Sequence, residues 1–390
     1  MPPAILEGVP EKRLLVACAR TQMTPDAARR IREIVAGAID WDYLLQAAAE
    51  NSVLPLVALH LPTIASDRFT PEQIERLKNA ARAAGIRILQ YSAELIRVID
   101  ALGHAGVLGL PYKGPIVAEQ AYGDLGLREF DDLDIIVRQR DIVLADRVLR
   151  GLDYQPRVAW LVDHSALVPG EYKYSNAARC MIVELHTERT LRHIPVPPDL
   201  DRMSKQAMHV AVGGRELRTF AAEDTLVLLC VHGSKDFWER LSWITDVSEF
   251  IQRNSELDWV RVFKCADELK ATRMVLLGLA LASGLLDAPL PEGAATRIKQ
   301  DATVLMLAAN TQKAMLAKEG SGRSALESFR YRRQMIAGVF ASWRYGLRLA
   351  TAPCEEDWLT TPLPRVLAPF YVLLRPFRLL RKYRVSNQDA

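Results

Sequence analysis

A chain of 390 residues, 49% hydrophobic and 25% charged, is long enough to bury a large core and has the balance of an ordinary globular protein. Its formal charge of +3 is too small to imply a long nucleic acid as partner, so nucleic acid is not expected. No apolar run has the length of a membrane span and no early segment reads as a signal peptide. The five cysteines (Cys18, Cys180, Cys230, Cys265, Cys354) are scattered without a CxxC pair, so a reducing, cytoplasmic setting is expected and structural zinc is not.

The first hundred residues carry helical signals. Thr24 and Pro25 open TPDAARRIREIVAG as cap and first turn, and DWDYLLQAAAENSVLPLVALHL spaces its apolar residues helically. Thr70 and Gln73 then make a capping box heading a helix that reaches about Gly103. Past that point VLGLPYKG, REFDDLDIIV, YKYSNAAR, CMIVELHT and a hairpin turning at Gly213-Gly214 read as strands. PIVAEQAYG and RDIVLADRVLRGL read as helices between them. From Glu223 the helical pattern returns. The chain therefore divides into an N-terminal helical region (1–103), an α+β core (104–222), a C-terminal helical region (223–345) and a tail (346–390).

Two stretches echo each other. Ile39–Leu61 and Leu257–Leu281 both run Asp-Trp, helix, short polar break, second apolar helix. A duplicated hairpin would explain this, and so, more simply, would two helical pairs meeting one packing demand. The tail segment Leu363–Arg384 is apolar, contains no acid, and carries Arg365, Arg375, Arg378, Arg381, Lys382 and Arg384. Packing on the body with its arginines reaching solvent is one reading, favoured by the interruptions at Pro369 and Pro376. Contact with an anionic membrane surface is a second, and a phosphate-facing role a third.

The chemistry concentrates in REFDDLDIIV (Arg128–Val137). Alternation puts Asp132 and Asp134 on one face of a strand, with Leu133, Ile135 and Val137 on the other. Two carboxylates side by side repel unless a cation or proton lies between them, which points to a metal. In CMIVELHT, Glu184 and His186 share a face, and Glu184 would complete a three-carboxylate cluster if that strand lies beside the first. Upstream, Lys113 and Gly114 fall between a strand and a helix, where a glycine and a helix N-terminus suit a phosphate. Each feature has a plainer account: solvated strand ends for the acids, an ordinary turn for Lys113-Gly114, and neutralisation of Asp131 and Glu129 for Arg128. In the helical stretch HGSKDFWERLSWITD, His232, Lys235, Glu239 and Ser242 fall near one face. There Lys235 or Arg240 is a candidate for a triphosphate and Trp238 or Trp243 for a base. Aromatics at this spacing are more often core, and His232 reads as a core histidine.

In this order the motifs resemble a large bacterial family of mostly uncharacterised nucleotidyltransferases in the DNA polymerase β-like superfamily. The resemblance rests on YKGPIVAEQAYGDLGLREFDDLDIIV, MIVELHTE, VLLCVHGSKDFWERLSWITDVSEFI and LDWVRVF. It covers about Ile39 to Pro291, with PLPRVLAPFYVLLRPFRLL similar to the family's ending. It implies an α+β fold, a polymerase-β-like core of small mixed sheet and helices flanked by N- and C-terminal helical regions. It also implies Mg²⁺ (or Mn²⁺) and an NTP, with ATP the leading choice. Asp132 and Asp134 match the metal-binding aspartates and Glu184 the third carboxylate, as ligand or general base. Lys113-Gly114 stands where the superfamily usually has Gly-Gly or Gly-Ser, and with Arg128, Lys235 and Arg240 it makes up the expected nucleotide grip. The implied reaction transfers a nucleoside monophosphate to a hydroxyl of a small molecule, sugar, peptide or protein, peptide modification among them. Phosphoryl transfer at the same site and a degenerate, non-catalytic binding module are the alternatives.

Overall fold

The computed structural model describes residues 8–158, 170–188, 196, 198–318, 325–336, 338–353, 355–361, 363 and 365–385; Cys354 lies outside them. Five strands form one mixed sheet: β1 (Leu110–Pro111), β2 (Leu133–Ile136), β3 (Gln155–Pro156), β4 (Glu171–Asn176) and β5 (Met181–His186). Their order is β1-β2-β5-β4-β3, with β2 and β5 parallel and every other pair antiparallel. A separate hairpin, β6 (Met208–Val212) and β7 (Arg215–Thr219), turns at Gly213-Gly214, both at positive φ.

Alternation divides the sheet into two chemically opposite faces. Leu133, Ile135, Tyr172, Tyr174, Val183 and Leu185 are buried in one core with Ile88, Tyr91, Leu95, Val98 and Leu102 of the helix Pro71–His104, and with Ile142, Ala145 and Leu149 of the helix Ile142–Gly151. The long helix begins where the sequence places it, because the Thr70 hydroxyl caps Gln73 N–H and the Gln73 side chain returns to Thr70 N–H. The opposite face carries the charge. Register sets Asp134 beside Glu184 and Glu184 beside Lys173, with Ile136 beside His186.

A second core joins helices from both ends of the chain. Leu14, Leu44, Val57 and Leu61 pack in one cluster with Leu226, Ile244, Phe250, Val275 and Leu281. The echoing segments both belong to it, and they match in detail. Asp40 caps the helix Trp41–Glu50 and Asp258 caps Trp259–Glu268. Each helix ends in a three-residue break whose middle residue, Ser52 or Lys270, has positive φ. The residue after it, Val53 or Ala271, donates its N–H back to the carbonyl of Ala48 or Ala266. Shared cap, length and break geometry favour duplication more than packing demand alone does.

HGSKDFWERLSWITD is not one helix. The helix Ala222–Lys235 stops, Phe237 and Trp238 take positive φ, and a new helix starts at Leu241. The single helical face expected for His232, Lys235, Glu239 and Ser242 is therefore absent. The reason lies in packing. Trp238 is fully buried over Gly233 and Gly278, where an added Cβ would meet its ring at 2.4 and 3.0 Å. Gly233→Ala is expected to cost about 1–3 kcal/mol through overpacking, read as a lower denaturant midpoint; an unchanged midpoint would show that the ring can shift freely. No helix among the described residues is long and apolar enough to cross a membrane. Cys18, Cys180, Cys230 and Cys265 are all free thiols, three of them buried.

Candidate active site

Three regions converge on one cleft of about 400 Å³. Ser52 comes from the first helical hairpin, Lys113, Gly114, Arg128, Asp132 and Asp134 from the sheet and its loops, and His232, Arg240 and Trp243 from the break after Lys235 and the helices on either side of it. The loop before β2 is fixed from two sides. The Tyr91 hydroxyl donates to the Asp131 carbonyl at 2.6 Å, and Glu129 accepts from Leu54 N–H at 3.1 Å. Burial pushes the Glu129 carboxyl up to about 7.

Asp134 is the hub. Its Oδ1 accepts from Lys113 Nζ at 2.9 Å and lies 2.7 Å from His186 Nε2. Burial alone would raise its pKa, but Lys113 and His186 outweigh burial and hold it well below the usual carboxylate range. Glu184 is ion-paired with Lys173, and its Oε2 lies 3.6 Å from His186 Nε2. Donor atoms of Asp134, Glu184 and His186 all lie within 4.8 Å of one another, and this is the group of metal-capable side chains found among the described residues. Asp132 falls outside that group, half-buried on the cleft side. It is pushed up to about 7, first by burial and then by the charge of Asp134.

Of the residues singled out in the sequence, the structure brings Lys113, Gly114, Arg128, Asp132, Asp134 and Arg240 to the cleft wall; Glu184 sits beside Asp134 but does not line the cleft, and Lys235 does not line it. Lys113 is not a solvated lysine. Its side chain is 13% exposed and Asp134 holds its pKa well above normal despite burial. Gly114 has φ 52° and ψ −125°, a conformation in which only glycine is at ease, and this lets Lys113 turn back onto Asp134. The helix that follows is brief, three α residues (Pro115–Val117) running into a π turn (Ala118–Tyr122). Arg128 does not neutralise Asp131 or Glu129. It forms a two-pronged pair with buried Asp246, Nε and Nη2 each at 2.8 Å, and Tyr122 donates to the same carboxylate at 2.8 Å.

On the far wall Arg240 is exposed, its guanidinium 5.8 Å from the centre of the half-buried Trp243 ring. His232 packs edge-on to Trp243 and is kept neutral by burial and by the nearby Lys113 and Lys235. A larger cavity of about 620 Å³ lies away from this chemistry, among Phe329, Trp343, Leu347 and Ala350 near the C-terminus.

The sequence profile of a family described as uncharacterised nucleotidyltransferase matches residues 37–287. The chain belongs to that family. The match begins before the first helical hairpin and ends behind its echo, so all three walls of the cleft fall within it. No curated protein matches the chain. As a nucleotidyltransferase-family enzyme it takes an NTP, and the buried Asp134–Glu184–His186 group is a place where a metal ion could be held. Sequence reading gave three contributors no role in the site, although it set His186 on the face of Glu184. His186 was visible as the neighbour of Glu184 in VELH, and Asp246 as an acid inside the apolar SWITDVSEF; Lys173 gave no signal without the strand register.

Proposed function

We propose that this enzyme transfers a nucleoside monophosphate from an Mg²⁺-bound NTP, ATP foremost, to a hydroxyl of a small-molecule, peptide or protein acceptor. The observation carrying this is the sheet register: parallel β2 and β5 set Asp134 against Glu184, while Asp132, at the cleft, makes no hydrogen bond or ion pair among the described residues and feels Lys113 only through its charge. The ionisation of Asp132 is opposed by burial and by the charge of Asp134, which fits a cation beside it, since a fold without use for one would be at least as stable with a neutral residue at that position. The same feature supports membership of the polymerase-β-like superfamily.

Asp132 and Asp134 would hold the ion on the cleft side, with Glu184 behind. A bound divalent ion neutralises charge on the attacked phosphate and on the leaving group. Lys113 steadies Asp134 and, standing in the cleft wall, offers its ammonium to the triphosphate. Arg240 gives a second, exposed cation, and Trp243 an aromatic face for the base. Trp238, buried under Gly233, is excluded from that role. Glu184 is better suited to holding or orienting the ion than to acting as base, since a base must reach the acceptor proton and Glu184 does not line the cleft. The acceptor oxygen bonds to the α-phosphorus as the bond to the β-phosphate oxygen breaks. Pyrophosphate leaves, and the hydroxyl proton passes to solvent past the carboxylates.

The test is ATP labelled at the α or the γ position, incubated with Mg²⁺, the enzyme and cell extract. Transfer of α-label with release of pyrophosphate is expected. γ-Label on the acceptor with ADP as product would make the enzyme a kinase, and label on nothing, with ATP still bound, would make it a binding module.

A further inference from the structure

The side chains described on the C-terminal helix (Tyr371–Val385), those of residues 371–378, are turned inside out. In a helix of a water-soluble body the apolar stripe faces inward and the charges face solvent. Here the inward side is Tyr371, Arg375 and Arg378. The Tyr371 ring packs 4.5 Å from that of Trp358, both within the core beneath the sheet, and its hydroxyl donates to the Thr361 carbonyl. Arg375 and Arg378 both donate to buried Asp357. Pro376 lies inside the helix without ending it.

The outward side is apolar. Leu373 is 63% exposed and Phe377 71%, with Val372 and Leu374 also exposed on the same helix. The 3-10 turn leading in, Arg365–Phe370, adds Phe370 and Val366, the latter 85% exposed. The helix Val339–Thr351 packs against this one and also exposes Trp343 and Leu347, which line the cavity beside Phe329. A row of this kind is far more than the single exposed leucines that any protein surface carries.

Charge says what would cover it. From Trp358 to Gln388 the sequence has no acid and six basic residues, and Asp357 engages two of these, Arg375 and Arg378. The remaining Arg365, Arg381, Lys382 and Arg384 bracket the apolar row. An apolar strip in a segment whose sequence carries an excess of basic residues and ends in several of them matches the boundary between lipid tails and anionic headgroups.

We propose that this face docks the enzyme on an anionic membrane surface. Val366, Phe370, Leu373 and Phe377 enter the interfacial layer, and the basic residues late in the helix supply the attraction to lipid phosphates. The docking is peripheral, and it is independent of the nucleotidyl-transfer reading, because none of these residues lines the cleft.

Vesicle flotation of the full chain tests it. The protein is expected to float with phosphatidylcholine vesicles containing about 30 mol% phosphatidylglycerol, to stay down with phosphatidylcholine alone, and to be released by high salt. Leu373→Glu/Phe377→Glu should abolish flotation. Arg381→Glu/Lys382→Glu, which leaves the apolar row intact, should weaken it by more than about tenfold, since each basic residue near such a surface contributes roughly fivefold. Melting temperatures of both variants, compared with the parent, establish that they are folded. Failure of the parent protein to float would overturn the proposal, as would equal flotation with neutral vesicles or full binding by Leu373→Glu/Phe377→Glu. Sedimentation velocity covers the remaining occupant: a dimer that Leu373→Glu/Phe377→Glu dissolves, without vesicle binding by the parent, would assign the face to a second copy and also overturn it.

Discussion

Replacing Asp246 by alanine is expected to lower the stability of the chain by about 3–5 kcal/mol, among the largest effects any single substitution here should have. Asp246 is 1% exposed and accepts three hydrogen bonds, two from Arg128 and one from Tyr122. Burial would depress the Arg128 pKa, and the Asp246 charge more than offsets this. Without Asp246 a guanidinium remains buried with its ion-pair partner gone and only the weaker pull of Asp134 left, which is the costly half of breaking a buried pair. The loss should reach the cleft as well, because Arg128 Nη1 also lies 3.5 Å from the Gly114 carbonyl, beside Lys113. Urea unfolding of Asp246→Ala, Arg128→Met and the double variant separates the contributions. The double variant should recover much of the stability lost in Asp246→Ala, since no charge is left stranded. Additive losses would mean that Arg128 and Asp246 are not the coupled unit their geometry describes.

That pair also marks where sequence reading runs out. Arg128 stands four residues before Asp132, so its local neighbours Glu129 and Asp131 were the natural partners to consider. The true partner is 118 positions away on a helix whose place depends on the second core. Short-range pattern carried the features governed by short-range physics. The Thr70–Gln73 capping box, the alternation in LDII and VELH, and the Gly213-Gly214 turn are all present as read. The break at Phe237-Trp238 was illegible for the opposite reason. Positive φ ordinarily calls for glycine or asparagine, and two aromatics accept it here because Trp238 fills the space above Gly233 and Gly278. β3, with two residues, is too short to leave a period. The cluster itself was half legible. Alternation gave the face of each acid, but only the parallel register put Glu184 and His186 against Asp134 and left Asp132 apart.

The two aspartates are therefore expected to behave differently when neutralised, although they sit two residues apart on one face. Asp134→Asn should lower metal-dependent turnover by more than about a hundredfold, beyond the usual effect of losing an outer partner of a metal ligand. It should also cost about 1.5–3 kcal/mol of stability, because Lys113, 13% exposed, loses its anionic hydrogen-bond partner. Asp132→Asn should match it in lost turnover and differ in stability. Asp132 makes no hydrogen bond or ion pair among the described residues, and burial and the Asp134 charge outweigh the pull of Lys113 and oppose its ionisation, so the amide should leave the melting temperature of the metal-free protein unchanged or higher. Melting curves with and without Mg²⁺ and NTP, read beside α-label transfer, resolve both effects. Undiminished transfer by Asp132→Asn would move the metal wholly onto the Asp134–Glu184–His186 group and remove Asp132 from the reaction. A fall in the metal-free melting temperature of Asp132→Asn would mean that its carboxylate stabilises the fold, and the argument for a cation at that position would lose its electrostatic basis.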